Sequence, residues 1–254
     1  MKHFLKTICP PVFVGPLAFL FLWFLVTQFH LVDTFLVPGP FIVLRALVGM
    51  FHAGAIFLDT AATLYRVLVS FLIATLVGVP VGLVLGAEKR LYTSVEFLVD
   101  FFRSMPATAM FPLFLLPFGI GDAAKIAVTA FSCTLIILFN TAYGVVNAKK
   151  TRILAARTMG ATRLQIFTTI VFWESLPQTF VGLRSALSLA LIIIVVTEMF
   201  VGSTTGLGHA IIDAQITYEI PSMYASILLV GLMGYLLNLV FSSTEKRYLH
   251  WAGK

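Results

Sequence analysis

Residues 149–177 read KKTRILAARTMGATRLQIFTTIVFWESLP and interrupt a chain that is otherwise almost all membrane-grade hydrophobe. Lys149, Lys150, Arg152, Arg157 and Arg163 place five of the 17 Lys and Arg residues here, beside the small residues Ala155, Ala156, Gly160 and Ala161. On a helix Ala156 and Gly160 fall four apart on one face, where another protein can approach the backbone closely. Good helix formers run from Thr151 to Met159 and again from Ala161 to Val171, the second with Leu164, Phe167 and Val171 as its apolar face. Two short helices with a small-residue elbow are the predicted shape. The competing reading is a basic loop lying on anionic lipid.

Outward from this segment the solvent is lipid. The 254 residues are 59% hydrophobic and 11% charged, with 24 Phe and a mean hydropathy of +1.00, outside the range of a water-soluble domain. Residues 7–32, 67–87, 104–121, 126–148 and 220–244 are free of charge and long enough, or nearly so, to cross about 30 Å of hydrocarbon as helix. A sixth span around 185–196 is bracketed by Arg184 and Glu198; it reaches full length if Arg184 snorkels to one interface and Glu198 sits near the other. The predicted fold is all-α and polytopic, with six transmembrane helices.

The net charge of +6 does not point to nucleic acid, because the cations are sorted by side. With the N-terminus inside, Lys2, Lys6, Lys89, Arg90, the five loop cations, Lys246, Arg247 and Lys254 share one side, whereas Arg45 and Lys125 fall on the other. That bias predicts two cytoplasmic termini and a cytoplasmic 149–177 loop. The first stretch is too long for a signal-peptide core and lacks a clear small-residue cleavage site, so it reads as an anchor. Residues 1–58 then form the first span and an outer interfacial segment, 59–245 the core, and 246–254 a cytoplasmic tail.

Inside the core, Gly78, Gly82 and Gly86 repeat every four residues, which permits close helix contact. Intramolecular packing is the plainer use of that stripe. Pro106, Pro112 and Pro117 crowd the third span; with Met105 they mark a bent helix facing a pathway, since carbonyls freed by proline need protein or water. Glu198 is a candidate gate, weighed against an interfacial helix-end carboxylate. Cys133 reads as a buried structural thiol. No His, Cys, Asp or Glu spacing suggests a metal. The glycine-rich run 202–208, GSTTGLG, reads as a flexible outer loop without the Lys of a phosphate-binding loop, and no Walker-type GxxxxGK[ST] occurs, so any ATP is hydrolysed elsewhere. No constellation of His, Asp, Ser or Cys suggests an enzyme. A stand-alone secondary transporter or channel is the alternative, but it calls for ionisable groups near mid-membrane, and spans two, four and six have uncharged cores.

Ala155-Ala156, Gly160-Ala161, Ile170 and Leu176-Pro177 together resemble the EAA loop of permease subunits of bacterial ATP-binding cassette importers. TLYRVLVSFLIATLVGVPVGLVLG (63–86), FRSMPATAMFPLFLLPFGIG (102–121), GLRSALSLALIIIVVTEMF (182–200) and GLGHAIIDAQ (206–215) look like the nitrate, sulfonate and taurine branch of that family. The resemblance implies a type I importer fold in the bacterial inner membrane. It implies a coupling helix in which Ala155, Ala156, Arg157, Gly160, Ala161 and Arg163 meet a separate ATPase, with the motif ending at Ile170 and Pro177. It also implies a cytoplasmic ATPase dimer carrying ATP and Mg, an extracytoplasmic solute-binding protein and a second permease copy, with no cofactor on this chain. The solute would be small and polar or anionic: nitrate, a sulfonate, taurine or a vitamin-precursor-like compound. Basic groups near the path, such as Arg66 or Lys125, would suit an anion, although Arg66 reads equally as an anchor of its span at the interface. Two departures stand out: Leu154 replaces the acidic residue that usually opens the motif, and Trp173 replaces a proline.

Overall fold

A computed structural model of the chain describes residues 11–200, 203–249 and 251, and the described residues are helical with short connections. Their order is α1 (Pro11–Gln28), α2 (Pro40–Ala53), α3 (Ala55–Ala87), α4 (Lys89–Ser104), α5 (Ala107–Phe118), α6 (Asp122–Val146), α7 (Lys150–Thr158), α8 (Arg163–Ile166), a π-helical turn (Phe167–Val171), α9 (Phe172–Phe200), α10 (Leu207–Ile216) and α11 (Ile220–Tyr248). Ile56–Ala87, Asp122–Val146, Arg163–Phe200 and Ile220–Tyr248 are long and apolar enough to cross a membrane. The pair Arg90–Ser104 and Ala107–Phe118, bent by 101° at its break, is either a broken fifth span or a re-entrant loop. Val14–Gln28 and Pro40–Ala53 are shorter apolar helices, so the described residues give four or five clear spans where six were expected.

The packing core is α3, α6 and α9. Gly78, Gly82 and Gly86 make the α3–α6 contact: a Cβ at Gly78 would lie 2.9 Å from Ile137 Cβ, at Gly82 2.7 Å from the Leu138 carbonyl oxygen, and at Gly86 2.6 Å from Val145 Cβ. The residue numbers rise together on both helices, so α3 and α6 run parallel. Intramolecular packing is therefore what the stripe does. Helix α9 returns antiparallel, with Gly144 against Ser175 and Gly182 against Asn140. Cys133, fully buried as expected, donates its thiol to the Ala186 carbonyl at 3.3 Å. Cys9 lies outside the described residues. The core between these helices is Val67, Ala74, Ile137, Ala186, Leu187, Ala190 and Ile194, extended by Leu229 and Met233 of α11. A second cluster joins Met110 and Phe111 of α5 to Ala124, Val128 and Ile193.

Several expectations change. The second span begins at Ala55, not near residue 67, so Asp59, Thr63 and Arg66 lie on α3 rather than before it. The third span is two helices: the chain breaks at Met105 and Pro106, both in extended conformation, whereas Pro112 and Pro117 sit inside α5 without ending it. A proline disfavours helical geometry in the residue before it, which accounts for the break at Met105. Helix α9 reaches back to Phe172, so Arg184 does not mark the start of that span. It lies mid-helix and donates from Nε to Asn238 Oδ1 at 2.8 Å, with Glu245 of α11 3.8 Å away.

Candidate functional site

Two polar regions sit at opposite ends of the α3–α6–α9 core. The first gathers the N-terminal parts of α3 and α6, the C-terminal end of α9 and the start of α10. Arg66, 4% exposed, is its centre. It donates from Nη1 to Glu198 Oε1 at 2.5 Å and to the Thr205 carbonyl at 2.9 Å, and from Nε to Asp122 Oδ1 at 2.8 Å. Glu198, 1% exposed, also accepts from Thr63 Oγ1 at 2.8 Å and from the Gly208 amide at 3.0 Å. Thr63 in turn accepts from the Leu207 amide at 2.9 Å, and Asp59 from the Gly206 amide at 2.8 Å. Lys125 is buried, bonded to Ser203 and 3.9 Å from Asp122.

Glu198 lies in the last turn of α9, and burial of its carboxylate is tolerated because three kinds of donor converge on it. The run 203–208 is not a loose loop either. Gly206 has φ of +124°, and a Cβ there would stand 2.4 Å from Glu198 Cδ; at Gly208 it would meet the Val195 carbonyl at 2.1 Å. These glycines let the chain wrap the carboxylate. Arg66 and Lys125, which the sequence offered as cations near the path, are engaged with Glu198, Asp122 and Ser203. Beside the network lies an open cleft of about 420 Å³ lined in part by Asp59, Thr205, His209, Asp213 and Glu219. Sequence reasoning named Arg66 and Glu198 but missed Thr63, Asp122, Asp59 and Thr205 as partners. The available signal was complementary charge at the edges of three apolar runs.

The opposite end carries the elbow. Helix α7 stops at Thr158, and Gly160 adopts φ of +81° beyond it. Its amide donates to the Arg157 carbonyl at 3.0 Å and the Ala161 amide to the Ala156 carbonyl at 3.0 Å, the paired bonds of a Schellman termination. Ala156 and Gly160 thus do not share a helix face. Gly160 is there for its backbone, and a Cβ on it would meet nothing within 4 Å. Thr162 starts α8 with a capping box: its Oγ1 accepts from the Gln165 amide at 3.3 Å and its own amide donates to Gln165 Oε1 at 2.8 Å. Ala155, Arg157 and Arg163 are exposed and Ala156 and Ala161 partly so. Two apolar side chains stand out on this polar end: Met159 is 87% and Leu164 72% exposed. Only Ile166 of the expected second helix is buried. Ile170 falls in the π-helical turn and Pro177 inside α9. Glu174 of α9 ties the elbow down, accepting from the Lys149 amide and from Arg152 Nη1 at 2.8 Å. Met105 and Pro106 mark the α4–α5 break, and with Pro112 they take no part in the Arg66 network.

A helical bundle of membrane-crossing length, with a charge-locked end and an exposed elbow at the other, defines a multi-pass membrane protein. The chain belongs to the family of binding-protein-dependent transport system inner membrane components, whose family model matches residues 78–247. It is 31% identical over 229 residues to a probable ABC transporter permease protein of Brucella melitensis, covering 90% of this chain and 92% of that one. It is 27% identical to the taurine transport system permease protein of Escherichia coli over 95% of this chain and 90% of that one. A nitrate import permease protein of Leptolyngbya laminosa is 31% identical over 72% of this chain and 65% of its own. Among solved structures, one of the MetNI methionine ABC transporter in inward facing conformations superimposes with a TM-score of 0.65 at 24% identity, over 74% of this chain and 93% of that one, which shows the shared fold. The chain is an ABC importer permease of the taurine, sulfonate and nitrate branch.

Proposed function

We propose that this permease forms the membrane path for a small polar solute of the taurine, sulfonate or nitrate kind, or a vitamin-precursor-like compound, and that it is driven through its elbow by a separate ATPase. The carrying observation is the elbow: a rigid, capped turn that projects Met159 and Leu164 from a ring of arginines. Apolar side chains that exposed at a polar end fit a groove on a partner protein. In this reading Arg157 and Arg163 flank the contact, and ATP with its Mg stays on the ATPase. The chain does mechanical work and catalyses no covalent step. Both termini lie on the ATPase side in the cytoplasm. A second copy of the chain completes the path, and a solute-binding protein docks at the other end, beside the carboxylate-lined cleft.

The test is Met159→Glu, made in the permease co-expressed with its ATPase. The variant inserts and keeps its melting temperature, because Met159 packs against little. Co-purification of the ATPase and uptake driven by ATP fall about tenfold or more, since a carboxylate placed in an apolar groove is left without a partner. Undiminished uptake overturns the docking role of the elbow.

A further inference from the structure

Trp173 lies in the first turn of α9 beside Glu174. Its ring meets that of Trp251, past the end of α11, edge to face with centroids 5.6 Å apart, and that of Phe172 at 5.7 Å. Helices α9 and α11 run antiparallel, with Leu191 against Gly234, Arg184 bonded to Asn238 and Phe180 against Phe241. From Phe180 back to Trp173 is seven positions, and from Phe241 forward to Tyr248, the last residue of α11, is also seven, about 10 Å of helix on each. Trp173 is thus level with the end of α11, and the chain beyond that end lies against α9. Leu249 marks the exit: it has left helical geometry, its amide bonds the Glu245 carbonyl at 2.8 Å, and its side chain is buried.

Adjacent residues of α9 therefore hold two different elements. Glu174 takes the Lys149 amide and Arg152 of α7, and Trp173 takes the C-terminal tail. Among the described residues no hydrogen bond, ion pair or ring contact joins α7 or α8 directly to α11. Within α9 itself the level of Trp173 is weakly braced. Pro177, four residues on, has no amide to give the Trp173 carbonyl, and its ring crowds that carbonyl, so the helix can bend between Glu174 and the next α9–α11 contacts at Phe180 and Arg184. The tail's ring packs at the one level where the backbone bond is missing. Half-exposed tryptophans at the end of a span also serve as interfacial anchors, but anchoring asks as much of exposed Tyr248 and gives no reason for the two tryptophans to pack on each other.

We propose that Trp173 and Trp251 are positioning residues for the coupling step: the C-terminal tail is a strap that makes the elbow-side ends of α9 and α11 move together. This rests on the permease reading. A displacement that enters α9 at Glu174 meets the strap one residue away, before the bendable stretch at Pro177. Helix α11 is then driven with α9 instead of lagging behind it. Its far end supplies Glu219 and Ser222 to the cleft at the other polar end, so the strap carries the elbow's motion along a second helix to that cleft.

The experiment uses the full transporter, permease with its ATPase, in lipid nanodiscs, and reads amide hydrogen exchange without nucleotide and after trapping with ATP and vanadate. In the unsubstituted chain trapping changes exchange about threefold or more both at the elbow, residues 150–166, and at the far end of α11, residues 219–226. Trp251→Ala keeps the elbow response and loses most of the far-end response. Trp251 is 38% exposed and lies past the last helix, so the fold survives its removal, and a chain ending at residue 250 behaves like Trp251→Ala. Trp251→Phe, which keeps an aromatic ring but not the indole amide, recovers the far-end response to within about twofold. Trp173→Ala matches Trp251→Ala, and the double variant is no worse than either. A far-end response that is undiminished in Trp251→Ala, or missing from the unsubstituted chain while the elbow responds, overturns the strap. An equal loss in Tyr248→Ala overturns it in favour of interfacial anchoring, and a larger loss in the double variant shows that the two rings act separately and overturns the pairing. An elbow silent to trapping, or loss of the ATPase on purification, counts against the permease reading instead.

Discussion

Glu198 illustrates how a single carboxylate organises one end of the molecule. Its two oxygens are taken by Arg66, Thr63 and the Gly208 amide, and Arg66 extends the pairing to Asp122. Breaking such a pair by removing one partner leaves a buried charge uncompensated, at a cost of about 3–5 kcal/mol. Glu198→Leu is therefore expected to lower the melting temperature in detergent sharply, and Arg66→Met to do so comparably. The double variant recovers much of that loss, because two apolar groups leave no orphaned charge. Additive losses in the cycle would show that the pair is not coupled. Gly206→Ala makes a second prediction here: its Cβ would overlap the Glu198 carboxylate at a backbone angle that disfavours any side chain, so it destabilises clearly, whereas Gly231→Ala, with nothing within 4 Å, changes the melting temperature little.

Elements differed in how plainly the sequence announced them. The glycine stripe at 78, 82 and 86 and the long apolar runs were readable because period and length survive any tertiary context. The start of α3 was not, since Arg66 and Asp59 look like span-ending charges until Glu198 and Gly206 are seen to answer them. That pairing joins residues more than 130 positions apart, and no local pattern encodes it. The elbow was half legible: its position followed from the cluster of cations and small residues, but Gly160 owes its place to a left-handed turn and not to a helix face. Substitutions at this position separate the two roles. Asn tolerates the left-handed region and is expected to keep most ATP-driven uptake, Ala to lose part of it at about 1 kcal/mol of cap strain, and Val to lose the most. If side-chain volume alone mattered, Asn, bulkier than Ala, would be worse than Ala in the uptake assay.

On the scale of the whole molecule, α9 places a carboxylate in each of the two polar ends. Glu174 in its first turn holds the N-terminus of α7, and Glu198 near its last turn holds Arg66. They stand 24 positions apart on one helix, about 36 Å. A displacement of the elbow is passed to α9 first through the Glu174 contacts with Lys149 and Arg152, because the π-helical turn and Pro177 soften the covalent route. Glu174→Gln keeps a hydrogen-bond acceptor but loses the charge, and Arg152 is largely exposed, so the stability change is within about 1 kcal/mol. Transmission suffers more than folding. The variant is expected to retain its ATPase and its ATP hydrolysis while moving several-fold less solute per ATP, measured as the ratio of uptake to phosphate release in the same proteoliposomes. An Arg152→Glu, Glu174→Arg exchange restores the ratio in part, because the ion pair is rebuilt although the Lys149 amide loses its acceptor. A ratio unchanged in Glu174→Gln would place the mechanical link elsewhere, in direct packing of the elbow on the bundle.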